Sequence, residues 1–375
     1  MINRVIIMKK IKEKAFICIK LALLGAAVYF CVAETRLVRE AVAEGADRCL
    51  TIVIPSLYAM MIVAVMIAKS GVFSCIPRLV KKLGNALFGM GGECLPVFAF
   101  SMFAGYPAGA KMITEQYSDG AISERSAAIL CGVCFGAGPA FIMGCISGEL
   151  YSSGLPGRLI IVSTVTANIL IAFLASFFLR KSSIGENDAH RKICINGEML
   201  TRSAVSAGRT MGELCFMITA FSVITAMLRH FGVISAAAGL FSRMTGFPPD
   251  ISEAFIPAAL DITAVRDLPA NNYSLLPWLC ALVSFGGVCV IMQISAIVSG
   301  KFPLRIFITL RLAAAALSFG ICRLTMPFML RNEIVAAATV NVSAHSSSSP
   351  VPSVMLLLMT FVVIDEYDKL VKISK

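Results

Sequence analysis

Gly105-Tyr-Pro-Ala-Gly-Ala-Lys111 interrupts an otherwise apolar run with a proline, two glycines and a cation. Pro107 lacks an amide hydrogen and crowds the preceding turn, while Gly105 and Gly109 allow backbone angles closed to other residues. A chain reversal is expected here, with backbone groups freed to meet a ligand. Lys111 then lies at or near membrane depth, where a cation is costly and marks a functional position. Its alternative is to snorkel to the surface along its own aliphatic stem.

The surrounding composition sets that depth. Of 375 residues, 58% are hydrophobic and only 15% charged, and the mean hydropathy is +0.83. A soluble domain is nearer a quarter charged, so lipid is the expected surrounding. The net charge of +11 is read as the lysine and arginine excess of cytoplasmic loops. Nucleic-acid binding is excluded, because no basic stripe carries interleaved aromatics. Thirteen cysteines lie mostly in apolar runs, where they act as small hydrophobes. Cys131 and Cys134 form a CxxC with no second pair or nearby histidine, so neither a metal site nor a cofactor is expected.

Full spans need about 20 apolar residues. They are expected at Ala15–Ala33, Leu50–Ala68, Leu159–Leu179, Leu214–Leu228 and Phe302–Ile321. Ala127–Leu150 is broken by Gly136-Ala-Gly-Pro139, and Leu276–Ser299 by Gly286-Gly287. Glu93–Lys111 and Ile251–Arg266 are shorter, and Val351–Ile364 is a short span or an interfacial helix. Basic residues crowd the first 14 positions and the stretches after Ala68, Leu179 and Ser299, which places those loops and the N-terminus in the cytoplasm. Glu34–Arg48, Tyr151–Arg158 and Arg229–Glu253 then form outer loops. This holds only if Glu93–Lys111 and Ile251–Arg266 enter and return on the same side. The fold expected is all-α: a polytopic membrane protein with two inverted repeats, each with a re-entrant hairpin and a broken helix. Residues 1–49 form an N-terminal helix and outer loop, 50–180 the first repeat, 181–210 a cytoplasmic linker, and 211–323 the second repeat. Residues 324–375 form a polar loop, with Ser346–Ser349, and the last short segment. Paired discontinuous helices of this kind mark many secondary transporters, with substrate at the repeat interface.

Within the second short segment, Leu260-Asp-Ile-Thr-Ala-Val-Arg266 offers Asp261 for a proton or sodium ion and Arg266 for a carboxylate. The bland alternative is a local Asp261–Arg266 pair at the outer surface. The breaks at Gly136, Gly138, Pro139, Gly286 and Gly287 can start half-helices whose amides face an anion, with Gln293 two turns on; tight packing on small residues is the alternative. Asn168 and Arg311 are weaker candidates, and Trp278 reads as an interfacial anchor. His190, His230 and His345 fall in expected loops. No nucleophile–base pair, HExxH or phosphate-binding loop is present, so no enzyme is expected.

Gly105–Lys111, with Gly138-Pro-Ala-Phe-Ile-Met-Gly144 and Phe285-Gly-Gly-Val-Cys-Val-Ile-Met-Gln293, resembles the YlbJ family of sporulation integral membrane proteins. That family is grouped with the nucleoside recognition, or Gate, domain of concentrative nucleoside carriers. The likeness runs from about Ile54 to Gln293. It departs where Phe135, Gly136 and Ala137 replace a polar residue before the Gly-Pro, where Ala264 and Val265 follow Asp261, and at Cys289. The resemblance implies transport of a small organic anion, dipicolinic acid during sporulation. It places Gly105, Tyr106, Pro107, Gly109 and Lys111 at the substrate together with the second-half residues named above. A multi-pass bacterial cell membrane, the outer forespore membrane in particular, is the implied location. The partners implied are the lipid bilayer and a coupling proton or sodium ion, with a homo-oligomer left open. A nucleoside-type permease and a non-transporting scaffold for spore formation remain the alternatives.

Overall fold

In the computed structural model, residues 2–72, 76–89, 94–120, 122–179 and 196–330 are described, and every element among them is a helix or helical turn. The expected features at Val351–Ile364, Ser346–Ser349, His190 and His345, and most of the basic linker after Leu179, lie outside these residues. So does Glu93, the first residue of the first short segment.

Helix α1 covers Ile2–Ala33, and α2, Thr35–Arg48, follows at once. The outer loop expected at Glu34–Arg48 is therefore helical. Its polar and apolar residues segregate to opposite faces, which is how a charge-rich stretch remains a helix against a protein surface. A π-turn at Cys49–Val53 carries α2 into α3, Ile54–Lys69. Then come α4 (Arg78–Phe88), α5 (Cys94–Ala104), α6 (Tyr106–Ser118) and α7 (Glu124–Val133). Ser123 caps α7, its hydroxyl accepting the Ser126 amide at 3.3 Å, as Ser123-Glu124 suggests from sequence. Helix α8 (Pro139–Phe141) continues as a π-helix through Ile142–Leu150, and α9 covers Gly154–Leu179.

The second part begins with α10, Gly197–His230, capped by Asn196, whose side chain accepts the Met199 amide at 2.9 Å. His230 is the last residue of this helix, not a loop residue, and its ring lies 5.5 Å from Phe30. Helices α11 (Val233–Thr245) and α12 (Pro249–Leu260) follow, then a 3-10 turn over Ile262–Asp267. Helices α13 (Leu276–Phe285) and α14 (Gly287–Val298) meet at Gly286, and α15 covers Leu304–Met329.

Among the described residues, five helices are long and apolar enough to cross a membrane: Thr35–Lys69, Gly154–Ser176, Gly197–His230, Tyr273–Val298 and Leu304–Met329. Their outer faces carry bare apolar side chains, such as Phe216 at 78% and Phe328 at 86% exposure. Water would penalise such a surface and lipid does not. This is the make-up of a membrane protein. Lys20–Ala33 is a shorter apolar stretch at the end of α1.

The interior is built around two helices. Helix α15 packs against α13, α9 and α7, and α10 packs against α2, α3 and α14. Helix α6 joins the two groups through α3 and α14. Trp278, read from sequence as an interfacial anchor, is half-buried among Phe241, Phe255 and Phe319.

Candidate functional site

Four chain breaks meet in the interior. At the first, Gly105 takes φ 90° and ψ 166°, a conformation that costs any L-residue about 1–3 kcal/mol. That geometry separates α5 from α6 and lets Pro107 occupy the first turn of α6, where its missing amide is harmless. The break between α7 and α8 lies against it: a Cβ placed on Gly138 would fall 3.5 Å from the Gly105 Cα, and one on Gly136 would sit 3.0 Å from the Met102 Cα. Gly109 brings α6 against the same region, with 2.7 Å between a would-be Cβ and both the Cys134 carbonyl and the Ser101 hydroxyl.

The other two breaks form a second pair. Gly287, at the junction of α13 and α14, has φ 80°, and a Cβ there would meet the Ala259 and Leu260 carbonyls and the Ile262 amide at 3.2–3.3 Å. The junction is thus pressed onto the end of α12, where Asp261 leaves the helix. Asp261 is only 3% exposed. Its carboxylate accepts the Thr263 amide at 3.1 Å and the Thr263 hydroxyl at 2.7 Å. Arg266 does not join it. The 3-10 turn directs the guanidinium to Asp47 of α2 at 3.6 Å and to Asp267 at 3.9 Å. The alternative reading, a local Asp261–Arg266 pair, is therefore not met among the described ion pairs.

A keystone aromatic holds the two pairs together. The Phe135 ring lies 4.3 Å from the Tyr106 ring and 5.4 Å from that of Phe307. Its edge fills the space a Cβ on Gly286 would need, at 2.6 Å. Tyr106 in turn donates its hydroxyl to the Val283 carbonyl at 2.5 Å. Over the Phe135 ring, 4.9 Å from its centroid, sits the guanidinium of Arg311. Arg311 is fully buried and forms no ion pair among the described residues. It donates to the Ser284 carbonyl at 3.2 Å and to the Asn168 side-chain oxygen at 2.9 Å, and Asn168 donates to the Phe135 carbonyl at 2.9 Å. Ser284 lies in the last turn of α13, and Phe135 stands just beyond the end of α7. Each helix C-terminus carries roughly half a negative charge, so two broken helices together offset the buried cation. Cation–π attraction to Phe135 adds to this.

Three cavities lie along this core. The innermost, about 40 Å³, is lined by Tyr106, Pro107, Ala137, Asp261 and Gln293 together with Leu214 and Ile218 of α10. It has room for a few waters, not for an organic solute. On one side Asp261 also faces a cavity of about 860 Å³ walled by Glu40, Glu44, Asp250, Glu253 and Asp267, against Arg48 and Arg229. Arg48 is already committed to Glu44 at 2.6 Å and Asp267 at 2.7 Å. On the other side a cavity of about 520 Å³ collects Lys111, Arg202, Arg209 and Lys301, against Glu213. Lys111 pairs with Glu115 at 3.2 Å and is 23% exposed.

Helix α10 lines all three. Arg202, Ser206 and Thr210 face the basic cavity, Leu214 and Ile218 the small one, and Ser222, Ala226 and His230 the acidic one. This row steps by four residues and winds slowly around the helix, whose repeat is 3.6. Between the small and basic cavities stands one helical turn, on each of three helices: Pro107 to Lys111 on α6, Leu214 to Thr210 on α10, and Gln293 to Ile297 on α14. One turn is about 5.4 Å.

The structure thus gathers Gly105, Tyr106, Pro107, Gly136, Gly138, Pro139, Asp261, Gly286, Gly287 and Gln293 into one region, with Gly109 behind it. Lys111 lies a turn away, and Arg266 stands apart, paired with Asp47 and Asp267. The Asn168–Arg311 bond and the cations Arg202, Arg209 and Lys301 are what sequence reading missed. The spacing of Ser206, Thr210 and Ser222 on α10 was the available signal. No protein-family profile, curated protein or solved structure matches this chain.

Proposed function

We propose that this protein is a secondary transporter of a small organic anion, working in a bacterial cell membrane with its N-terminus in the cytoplasm. The observation that carries the reading is the row of three cavities along α10. A wide space at each end is separated by a constriction at chain breaks, and non-helical backbone at membrane depth is tolerated where it lines a cavity or is buried in protein. The constriction is too small for an organic solute, so passage requires the breaks to rearrange, as alternating access demands.

Element order supports two inverted repeats. Helices α3, α4, α5–α6, α7–α8 and α9 run in the same sequence of types as α10, α11, α12 with its 3-10 turn, α13–α14 and α15. In each half, the break after the fifth or twelfth helix abuts the break in the following helix pair, Gly105 with Gly138 and Asp261 with Gly287. On this reading both short segments are re-entrant hairpins. Asp261, buried between the small cavity and the acidic one, is the group to exchange a proton or sodium ion for coupling. The likeness of Gly105–Lys111 to the YlbJ family favours dipicolinic acid as the solute and sporulation as the setting.

Purified protein in sealed vesicles tests the proposal. Accumulation of radiolabelled pyridine-2,6-dicarboxylate under a proton or sodium gradient is expected. Failure to accumulate this acid, a related organic acid or uridine under either gradient refutes transport, and uptake of uridine alone refutes the anion.

A further inference from the structure

We infer that the basic cavity is a docking site for a dicarboxylate, with Arg209 the residue that grips one of its carboxylates; this rests on the transport reading above. Four cations reach the cavity from three parts of the chain: Lys111 on α6, Arg202 and Arg209 on α10, and Lys301 beyond α14. Three of them are held. Lys111 pairs with Glu115, Arg202 with Glu198, and the Lys301 ammonium donates to the Ser118 hydroxyl at 2.7 Å. Arg209 pairs with no carboxylate among the described residues, although Glu213 lies one turn along the same helix. Its planar fork matches a carboxylate with two parallel hydrogen bonds. The neighbouring ammonium groups supply positive potential for a second carboxylate, and one acidic side chain against four basic ones leaves the lining cationic.

The opposite cavity holds such a solute weakly, since six carboxylates line it, Glu40, Glu44, Asp250, Glu253, Asp261 and Asp267, against Arg48 and Arg229. Arg209 and Arg229 are twenty residues apart on α10, about 30 Å at 1.5 Å per residue, which is the thickness of a bilayer core. A dianion is therefore held at the Lys111 end, one helical turn from the constriction, and let go readily at the other. The same chemistry would suit the headgroup of an anionic lipid, so the test must separate the two.

Binding of radiolabelled pyridine-2,6-dicarboxylate is measured by equilibrium dialysis on the whole protein in nanodiscs, of phosphatidylcholine alone or with phosphatidylglycerol. Arg209→Gln is expected to weaken binding about tenfold or more, Arg209→Lys to recover part of it, and Arg243→Gln, which removes an equal charge from α11 outside all three cavities, to leave it within about twofold. Benzoate is expected to compete poorly. Equal losses in Arg209→Gln and Arg243→Gln overturn the site, as does benzoate binding as tightly as the dicarboxylate. Binding unmoved by Arg209→Gln, with a change only in phosphatidylglycerol retention, assigns the cavity to a lipid and overturns it too. A protein that binds the acid through Arg209 but moves nothing refutes transport and leaves the site standing. Uptake whose KM ignores Arg209→Gln refutes the site and leaves transport standing.

Discussion

Gly287→Ala tests how the second pair of chain breaks is held. Two costs arise. An L-residue at φ 80° loses about 1–2 kcal/mol to its own backbone. The new Cβ also meets the Ala259 and Leu260 carbonyls and the Ile262 amide at 3.2–3.3 Å. These are backbone atoms at the end of α12, so they yield only if that helix end moves, and overpacking of this kind costs about 1–3 kcal/mol. The total is about 2–5 kcal/mol. Gly246→Ala isolates the first cost, because Gly246 has φ 75° with nothing within 4 Å of a Cβ. Unfolding by titration with sodium dodecyl sulfate, followed by circular dichroism, should therefore separate the two variants by about 1–3 kcal/mol. Uptake should fall in Gly287→Ala and persist in Gly246→Ala, since only the first displaces Asp261. Two variants that agree within about 0.5 kcal/mol, the scatter of harmless surface changes, would refute the claim that Gly287 packs against the Asp261 break.

Other outcomes follow from the same contacts. Arg311→Met leaves the Ser284 carbonyl and the Asn168 oxygen without their donor, at about 1–3 kcal/mol each, so detergent unfolding should come earlier, with partial recovery in Arg311→Lys; a Met variant as stable as the parent contradicts the node. Tyr106→Phe deletes one hydrogen bond to the Val283 carbonyl and should cost about 0.5–1.5 kcal/mol in the same titration. Asp261→Asn keeps an acceptor for the Thr263 amide but removes the charge, so the protein should fold while uptake loses its dependence on the ion gradient; unchanged gradient dependence excludes Asp261 from coupling. With the thirteen native cysteines replaced, single cysteines at Ser206 and Ser222 should react with an impermeant maleimide from opposite sides of a vesicle, and one at Ile218 from neither; labelling of Ile218 would mean the middle is open.

Periodicity and punctuation carried much of the fold. The apolar runs around Leu159, Leu214 and Phe302 became long helices because a span must satisfy its backbone internally, which only length and hydropathy decide. Pro107 and Gly286 marked breaks because their effect is local. Arg266 misled for the opposite reason. Five residues from Asp261 in sequence, it is turned toward Asp47 by a 3-10 turn that the surrounding residues do not announce. Glu34–Arg48 looked like a loop because its charges balance, whereas its amphipathic face is buried on α10. The basic cavity was illegible because its cations come from three separated segments: Lys111 was read within its own break, and the basic residues after Leu179 and Ser299 as loop charges.

Arg311 also sets an order of assembly. The chain is made from its N-terminus, and Asn168 is synthesised 143 residues before the guanidinium that binds it. Until Arg311 emerges, the ends of α7 and α13 and the Asn168 amide are without their cation. The α7–α9 region therefore waits, incomplete, for α15. During that interval the nascent protein offers membrane chaperones and proteases an unfinished polar seam, and its survival depends on how quickly α15 is delivered. Polypeptides halted before residue 311 should be short-lived in cells even though every break in their first half is already encoded.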